Sequence, residues 1–342
     1  MEYMPKEGVL GGIMAPLTNL LLVVSYDGTR FNGWNGMPLC SSIPNRGLDS
    51  VANCLLKPLL ALHGFDASSK YLDYGFSGGP AGEGGAQSPE AKIMNFSLVG
   101  ASRTDKGVHA QGMVCQYRSF TRFPPLDGDL MQIYTRMNRM IPPSIRINAM
   151  LHVNDPKFMV RFDNIGKIYT YRFSVGPANP FNRHYCWQLN SDLALIKRDT
   201  MNIKFDPEKA ETALNSFLGR HDFTNFRNVY RGNEKNRPVD PFCTIESAEL
   251  AKDESCYMLL IRGDRFLYKM VRHIVAHVVY TALGLLPEGY IGQLLRGGPK
   301  NRHVEPAPSH GLELSRVVLP KDVELAIRHS SASLSRNINK IT

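Results

Sequence analysis

Residues 266–286 constrain what this chain can fold into more than any other stretch. Met270, Val271, Ile274, Val275, Val278, Val279, Ala282 and Leu283 recur there at helical spacing and make a broad apolar arc, which predicts one long buried helix. Lys269, Arg272, His273 and His277 interrupt the stretch, and a lipid-facing span would not tolerate them. The helix therefore belongs inside a protein core.

The flanking pattern supplies that core. Residues 20–26 read as a buried strand stopped by Asp27-Gly28, and residues 48–63 have helical spacing that Pro58 should kink or end. Residues 93–98 and 113–117 read as strands with a loop between them; residues 130–140 read as a helix ending before Pro142-Pro143, and 145–151 as a strand. Further on, 167–175 alternates like a strand. Residues 207–218 form a helix with Pro207 in the first turn and Gly219 as its stop. Residues 246–250, 257–262 and 317–319 complete the strands. The order strand, helix, strands, helix occurs in each half, which predicts an α+β fold of two halves, each a sheet covered by helices on one face. The expected divisions are a loose leader at 1–18, an N-terminal half at 19–155, a C-terminal half at 156–320 and a basic tail at 321–342. Residues 66–91 interrupt the first half. Six glycines fall between 75 and 86, and no Gly-Lys-Ser/Thr follows, so this is a surface insertion and not a phosphate-binding loop.

Composition narrows the partners. The 342 residues are 43% hydrophobic, enough for a core, and carry 40 Lys and Arg against 31 Asp and Glu, a formal charge of +9. That excess suits a polyanion, whose condensed counterions basic side chains displace; a basic protein without such a partner is the plainer alternative. The cysteines Cys40, Cys54, Cys115, Cys186, Cys243 and Cys256 include no CxxC pair, which fits unpaired thiols in a reducing compartment. The first 19 residues contain Glu2 and Glu7 and no arginine, unlike a transit peptide.

Four segments stand out in order: Tyr26-Asp27-Gly28-Thr29-Arg30-Phe31-Asn32-Gly33-Trp34; Ser102-Arg103-Thr104-Asp105-Lys106-Gly107-Val108-His109-Ala110; Arg161-Phe162 followed by Lys167-Ile168-Tyr169-Thr170-Tyr171-Arg172; and Phe266-Leu267-Tyr268-Lys269-Met270-Val271-Arg272. Asn138-Arg139-Met140-Ile141-Pro142, Phe217-Leu218-Gly219 with the run from His221 to Arg227, and Pro306-Ala307-Pro308 with Gly311-Leu312 lie between and after them. Together these resemble the TruA family of tRNA pseudouridine synthases, over roughly residues 19–320.

The resemblance implies the pseudouridine synthase fold: two similar α/β halves with mainly antiparallel sheets forming a central catalytic cleft. It also implies isomerisation of uridine to pseudouridine in a structured RNA, tRNA or rRNA. That reaction breaks an N-glycosidic bond, turns the base and forms a C-glycosidic bond, with no redox step, so no cofactor is implied. It needs a carboxylate near the ribose C1′ and uracil C6, and the resemblance assigns Asp105. Seen alone, Asp105 would read as a turn residue bonding its own backbone. Tyr169 matches the family's active-site tyrosine, able to stack on the extruded uracil and assist proton transfer at C5. Tyr171 shares its strand face and reads as the core tyrosine. Arg272 matches the arginine that pairs with the carboxylate, and Arg103 the one that fills the space of the flipped base. Lys106, Arg161, Lys167, Arg172 and Arg227 are candidate phosphate contacts, with solvated surface charge as the alternative for each. His273 and His277 have i, i+4 spacing, but no third ligand accompanies them and they read as structural, with no metal site. Asp127-Gly128-Asp129 reads as a turn.

Ser102 stands where the family usually has glycine, Ala52 near a usual glutamine, Cys243 near a usual basic residue, and Glu313 where an aromatic usually separates two leucines. Two expectations follow. One is an active synthase with a divergent substrate. The other is an idle RNA-binding factor that keeps the fold for RNA remodelling or ribosome assembly. A homodimer or a ribonucleoprotein assembly fits either, and an organelle matrix such as the mitochondrial one is preferred over nucleus or cytosol.

Overall fold

A computed structural model of the chain describes residues 9–10, 13–35, 49–64, 96–190, 204–229, 239–253, 256–300 and 303–338. Most of the expected leader, Cys40 and the glycine-rich insertion at 66–91 lie outside these residues. In chain order the main strands are β1 (Thr18–Tyr26), β2 (Phe96–Gly100), β3 (His109–Ser119), β4 (Ile145–His152), β5 (Gly166–Ser174), β6 (Trp187–Gln188), β7 (Gly219–Asp222), β8 (Phe242–Lys252), β9 (Tyr257–Gly263) and β10 (Leu312–Val318). The α-helices are α1 (Val51–Leu62), α2 (Leu130–Met140), α3 (Pro207–Asn215), α4 (Met270–Ala282), α5 (Tyr290–Leu295) and α6 (Lys321–Ile338). They divide into two compact units, one of residues 1–104, 112–164 and 319–342, the other of 105–111 and 165–318.

The first unit holds a sheet of order β4-β1-β3-β2, with β4 antiparallel to β1 and β2 antiparallel to β3. Leu20, Leu21 and Leu22 are all fully buried, so this end of β1 is covered on both faces. The division differs from the one expected near residue 155: residues up to 164 stay with the first unit. The buried amide of Gln116 explains this. It donates to Asn19 Oδ1 and to Phe158 O and accepts from the Val160 N–H, at 2.8 to 3.0 Å. Arg118 adds a bond to Pro156 O. Pro58 does not end α1, which runs on to Leu62. An internal proline costs about 3 kcal/mol, but the buried Leu55, Leu56, Leu59 and Leu60 each return roughly 1.5–3 kcal/mol. Asp129 caps α2 through the Met131 and Gln132 N–H groups. Asn138 exchanges two hydrogen bonds with the Ile147 backbone, which gives the 138–142 segment a structural task. Residues 321–338 are a helix and not a tail: α6 packs on β4, Leu334 is buried, and Ser330 donates to Met150 O.

The second unit holds a sheet of order β3-β10-β5-β9-β8-β7, with β6 beside β5. β10 runs parallel to the first residues of β3 and antiparallel to β5; β9 is antiparallel to both β5 and β8. Each unit is thus a largely antiparallel sheet with packed helices, an α+β fold. β10 begins earlier than the expected 317–319. The long helix is shorter than its apolar run: Lys269 takes a left-handed backbone at φ 60° just before Met270, and Gly284 at φ +70° follows its last turn. Within α4, His277 Nδ1 donates to His273 O at 2.7 Å and His273 Nε2 donates to Asn228 Oδ1 at 2.6 Å. Among the described residues no cluster of three His, Cys, Asp or Glu could hold a metal. No described helix is long and apolar enough to cross a membrane. None of the described cysteines forms a disulfide, and Cys186 and Cys256 place their sulfurs 3.1 Å apart.

Candidate active site

The segment that carries Asp105 is held from before and after. In the first unit, the Trp34 N–H donates to Thr104 O at 3.0 Å and the Tyr26 hydroxyl lies 2.7 Å from Thr104 Oγ1. Gly100 sits against the Trp34 indole, where a Cβ would come within 2.7 Å of the ring. The Tyr26–Trp34 motif therefore fixes the residue just before Asp105. In the second unit, the Val108 N–H closes a turn on Asp105 O at 3.1 Å, and Gly107 occupies φ +79°, a backbone that favours glycine. Ser102 in place of glycine carries no such strain, because the described non-glycine residues with left-handed backbone are Leu126, Asp127 and Lys269.

Arg272 lies in the first turn of α4 and donates from Nη1 to Asp105 Oδ2 at 2.9 Å; their side chains are 12% and 23% exposed. Its Nε donates to Ala307 O at 2.6 Å. A cation this buried requires an anionic partner, and residues 167 positions apart in sequence supply the pair. Among the described residues Asp105 Oδ1 accepts no hydrogen bond.

Tyr169 lies on β5 opposite Leu314 of β10, and Leu314 in turn lies opposite Ala110. Tyr169 is thus in one cross-strand row with the strand that leaves the Asp105 turn. It is 5% exposed and packs edge-on against Phe266 at 5.1 Å. Tyr171 is fully buried, donates its hydroxyl to Pro308 O at 2.8 Å and packs edge-on against Trp187, as a core residue does.

The basic candidates separate. Lys106 is exposed beside Asp105. Lys167 is buried, and burial pushes its ammonium down to about 8 against the pull of Asp264. Arg172 is taken up by Glu313 at 3.2 Å. Glu313, which replaces the usual aromatic, also accepts from Gln111 and Ser315. Arg227 is half-buried, and its Nε has no hydrogen-bond partner among the described residues. Arg103 and Arg161 are exposed and belong to the first unit. Cys243, near a usual basic position, is buried and its thiol is raised to about 11 by desolvation.

The sequence profile of the family described as tRNA pseudouridine synthase matches residues 213–320. Relatives extend the match over most of the chain. The tRNA pseudouridine synthase A 1 of Protochlamydia amoebophila is 28% identical over 298 residues, covering 86% of this chain and 94% of that protein. The tRNA pseudouridine synthase A of Acetivibrio thermocellus is 28% identical over 88% of this chain and 99% of its own length. That of Clostridium kluyveri is 25% identical over the same shares. Together these matches support a TruA-type tRNA pseudouridine synthase family. Within that family frame, two parts of the site escaped the sequence reading. One is the Tyr26–Thr104 and Trp34–Thr104 bracing, which the first motif signalled without saying what it held. The other is the Ala307 carbonyl on Arg272, a backbone contact that no side-chain pattern announces.

Proposed function

We propose that the protein isomerises uridine to pseudouridine in tRNA, with Asp105 as the catalytic carboxylate. The observation that carries this reading is the Asp105–Arg272 pair, in which the arginine engages one carboxylate oxygen and Oδ1 has no partner among the described residues. An oriented carboxylate with one open oxygen suits attack at the ribose C1′ or uracil C6, or stabilisation of the cleaved base. The N1–C1′ bond breaks, the base turns, and C5 bonds to C1′. The proton lost from C5 is balanced by one gained at N1, so the reaction is an isomerisation without cofactor. Tyr169 stands beside the extruded uracil and assists proton transfer at C5. Arg103 fills the space the base leaves, offsetting an unstacking penalty of roughly a few kcal/mol. Lys106 and Arg227 neutralise nearby phosphates. The relatives named as synthases support turnover, and no observation favours the idle RNA-binding alternative.

The test is direct. Unmodified tRNA incubated with the wild-type protein gains pseudouridine, read by carbodiimide mapping or mass spectrometry of nucleosides, and Asp105→Asn yields none. Undiminished modification by Asp105→Asn would remove Asp105 from the chemistry.

A further inference from the structure

Four consecutive residues, Ala307, Pro308, Ser309 and His310, contact in turn Arg272, Tyr171, Gly107 of the Asp105 turn and His109. Ala307 exchanges two bonds with Arg272: its N–H donates to Arg272 O at 3.0 Å, and its carbonyl accepts from Arg272 Nε at 2.6 Å. The Pro308 carbonyl accepts the Tyr171 hydroxyl at 2.8 Å. Ser309 lies against the Asp105 turn, so close that a Cβ on Gly107 would come within 2.8 Å of its Oγ. The His310 carbonyl accepts from His109 Nε2 at 3.1 Å.

His109 closes the arrangement. The same Nε2 also lies 2.9 Å from the His184 carbonyl. Both neighbours are carbonyls, which only accept, so Nε2 carries the hydrogen and shares it between them. His109 is 6% exposed, and its ring lies 5.0 Å from that of Tyr185. It sits four residues after Asp105, opposite Glu313 in the parallel β3–β10 register. One imidazole thus joins the strand leaving the Asp105 turn to two other segments of the second unit.

We propose that residues 307–310 are a positioning strap for Asp105 and Arg272, and that His109 is the positioning residue that locks it. Arg272 can aim Nη1 at Asp105 only while its guanidinium plane is fixed, and the bond from Nε to Ala307 O fixes it. The strap in turn holds its place through the Tyr171 hydroxyl, the Ser309–Gly107 contact and the shared His109 hydrogen. Its consequence for turnover rests on the synthase reading above; its consequence for Arg272 does not.

Two readouts test it on the full-length protein. The first is solvent exchange of the Arg272 Nε–H, followed by NMR on arginine-labelled protein and assigned by its loss in Arg272→Lys. The second is single-turnover pseudouridine formation on tRNA, with the half-saturating enzyme concentration measured alongside. His109→Leu should speed that exchange at least about tenfold and slow the single-turnover rate roughly 10- to 100-fold, because small misplacements of reacting groups are costly. Half-saturation should stay within about threefold, as expected when a ground-state binding contact is untouched. His109→Gln, which puts an amide donor at similar reach, should restore both. The proposal is overturned if folded His109→Leu leaves the exchange unchanged, if half-saturation worsens in step with the rate, or if His109→Gln is no better. Should His109→Leu not fold, Tyr171→Phe removes only the hydroxyl that holds Pro308 O and should also speed the exchange; an unchanged exchange overturns the proposal. Wild-type protein that makes no pseudouridine while the exchange results hold would sink the synthase reading and leave the strap standing.

Discussion

Two of the arginine–carboxylate pairs in the second unit, the two least exposed, are built differently. Arg172 and Glu313 meet at 3.2 Å, Arg272 and Asp105 at 2.9 Å. Glu313 is engaged at both oxygens: Oε2 accepts from Arg172 and Gln111, and Oε1 accepts from Ser315, whose hydroxyl is within 2.7 Å of Thr170. Among the described residues Asp105 has a single donor, Arg272, and its Oδ1 stays open. In this second pair the backbone has taken up the arginine instead, through Ala307. A carboxylate engaged at both oxygens holds structure together. One held at a single oxygen by a donor that is itself fixed is arranged to react.

The sharpest way to break this contrast is to neutralise each carboxylate in turn. Asp105→Asn should lower the single-turnover rate by at least about 10³-fold, the scale expected when a covalent or charge-stabilising group is lost. Glu313→Gln should keep the rate within about threefold, since an amide oxygen can still accept from Arg172. Release of tritium from tRNA labelled at uracil C5 measures both. Equal losses would mean that engagement of the second oxygen does not distinguish the two carboxylates.

Removing the cations should separate the pairs again, by a smaller margin. Arg272→Ala leaves Asp105 without its donor and should slow turnover about 10²-fold. It should also cost stability below the roughly 3–5 kcal/mol of a fully buried pair, because Asp105 is 23% exposed. Arg172 is 31% exposed, so Arg172→Ala should cost about 1 kcal/mol or less and leave turnover within about threefold. Urea unfolding beside the tritium assay reports both quantities. A larger stability loss for Arg172→Ala would reverse the ranking.

The sequence carried the two pairs unequally. The alternating pattern at 167–175 and the apolar arc of α4 predicted the strand and helix that hold Tyr169 and Arg272. The bond from Arg272 to Asp105 spans 167 positions, and no local period reaches that far; it came from resemblance alone. Glu313 read as a departure from the family, and only the structure shows that Arg172 answers it. The missed helix α6 has a physical reason as well. Its Leu325 is 54% exposed and few of its described side chains are buried, so the amphipathic signal is faint. The division was misplaced because what decides it is Gln116, a buried amide on a distant strand that draws Phe158 and Val160 back.

The smallest expected effect tests the surroundings of the second pair. Beside charged Arg272, His273 and His277 are kept neutral: burial pushes them down to about 3 and about 4. Lys300 lowers both further, and Arg272, Lys269 and the other histidine add to this for His273. A folded-state value below the unfolded one near 6.5 means that the unfolded chain binds more protons between the two. The stability these histidines contribute is therefore whole above about pH 6.5 and lost as pH falls toward 4 and then 3. His277→Leu removes one titrating group. Urea unfolding between about pH 6 and 4.5 should then lose close to 1.4 kcal/mol per pH unit less steeply than in the wild type, the limiting slope for one proton. Because α4 also carries Arg272, the rate of turnover at pH 7.5 should fall less than about threefold in this variant. An unchanged pH slope would mean that His277 is already protonated in the fold, and that the ground beside Arg272 is more polar than its burial indicates.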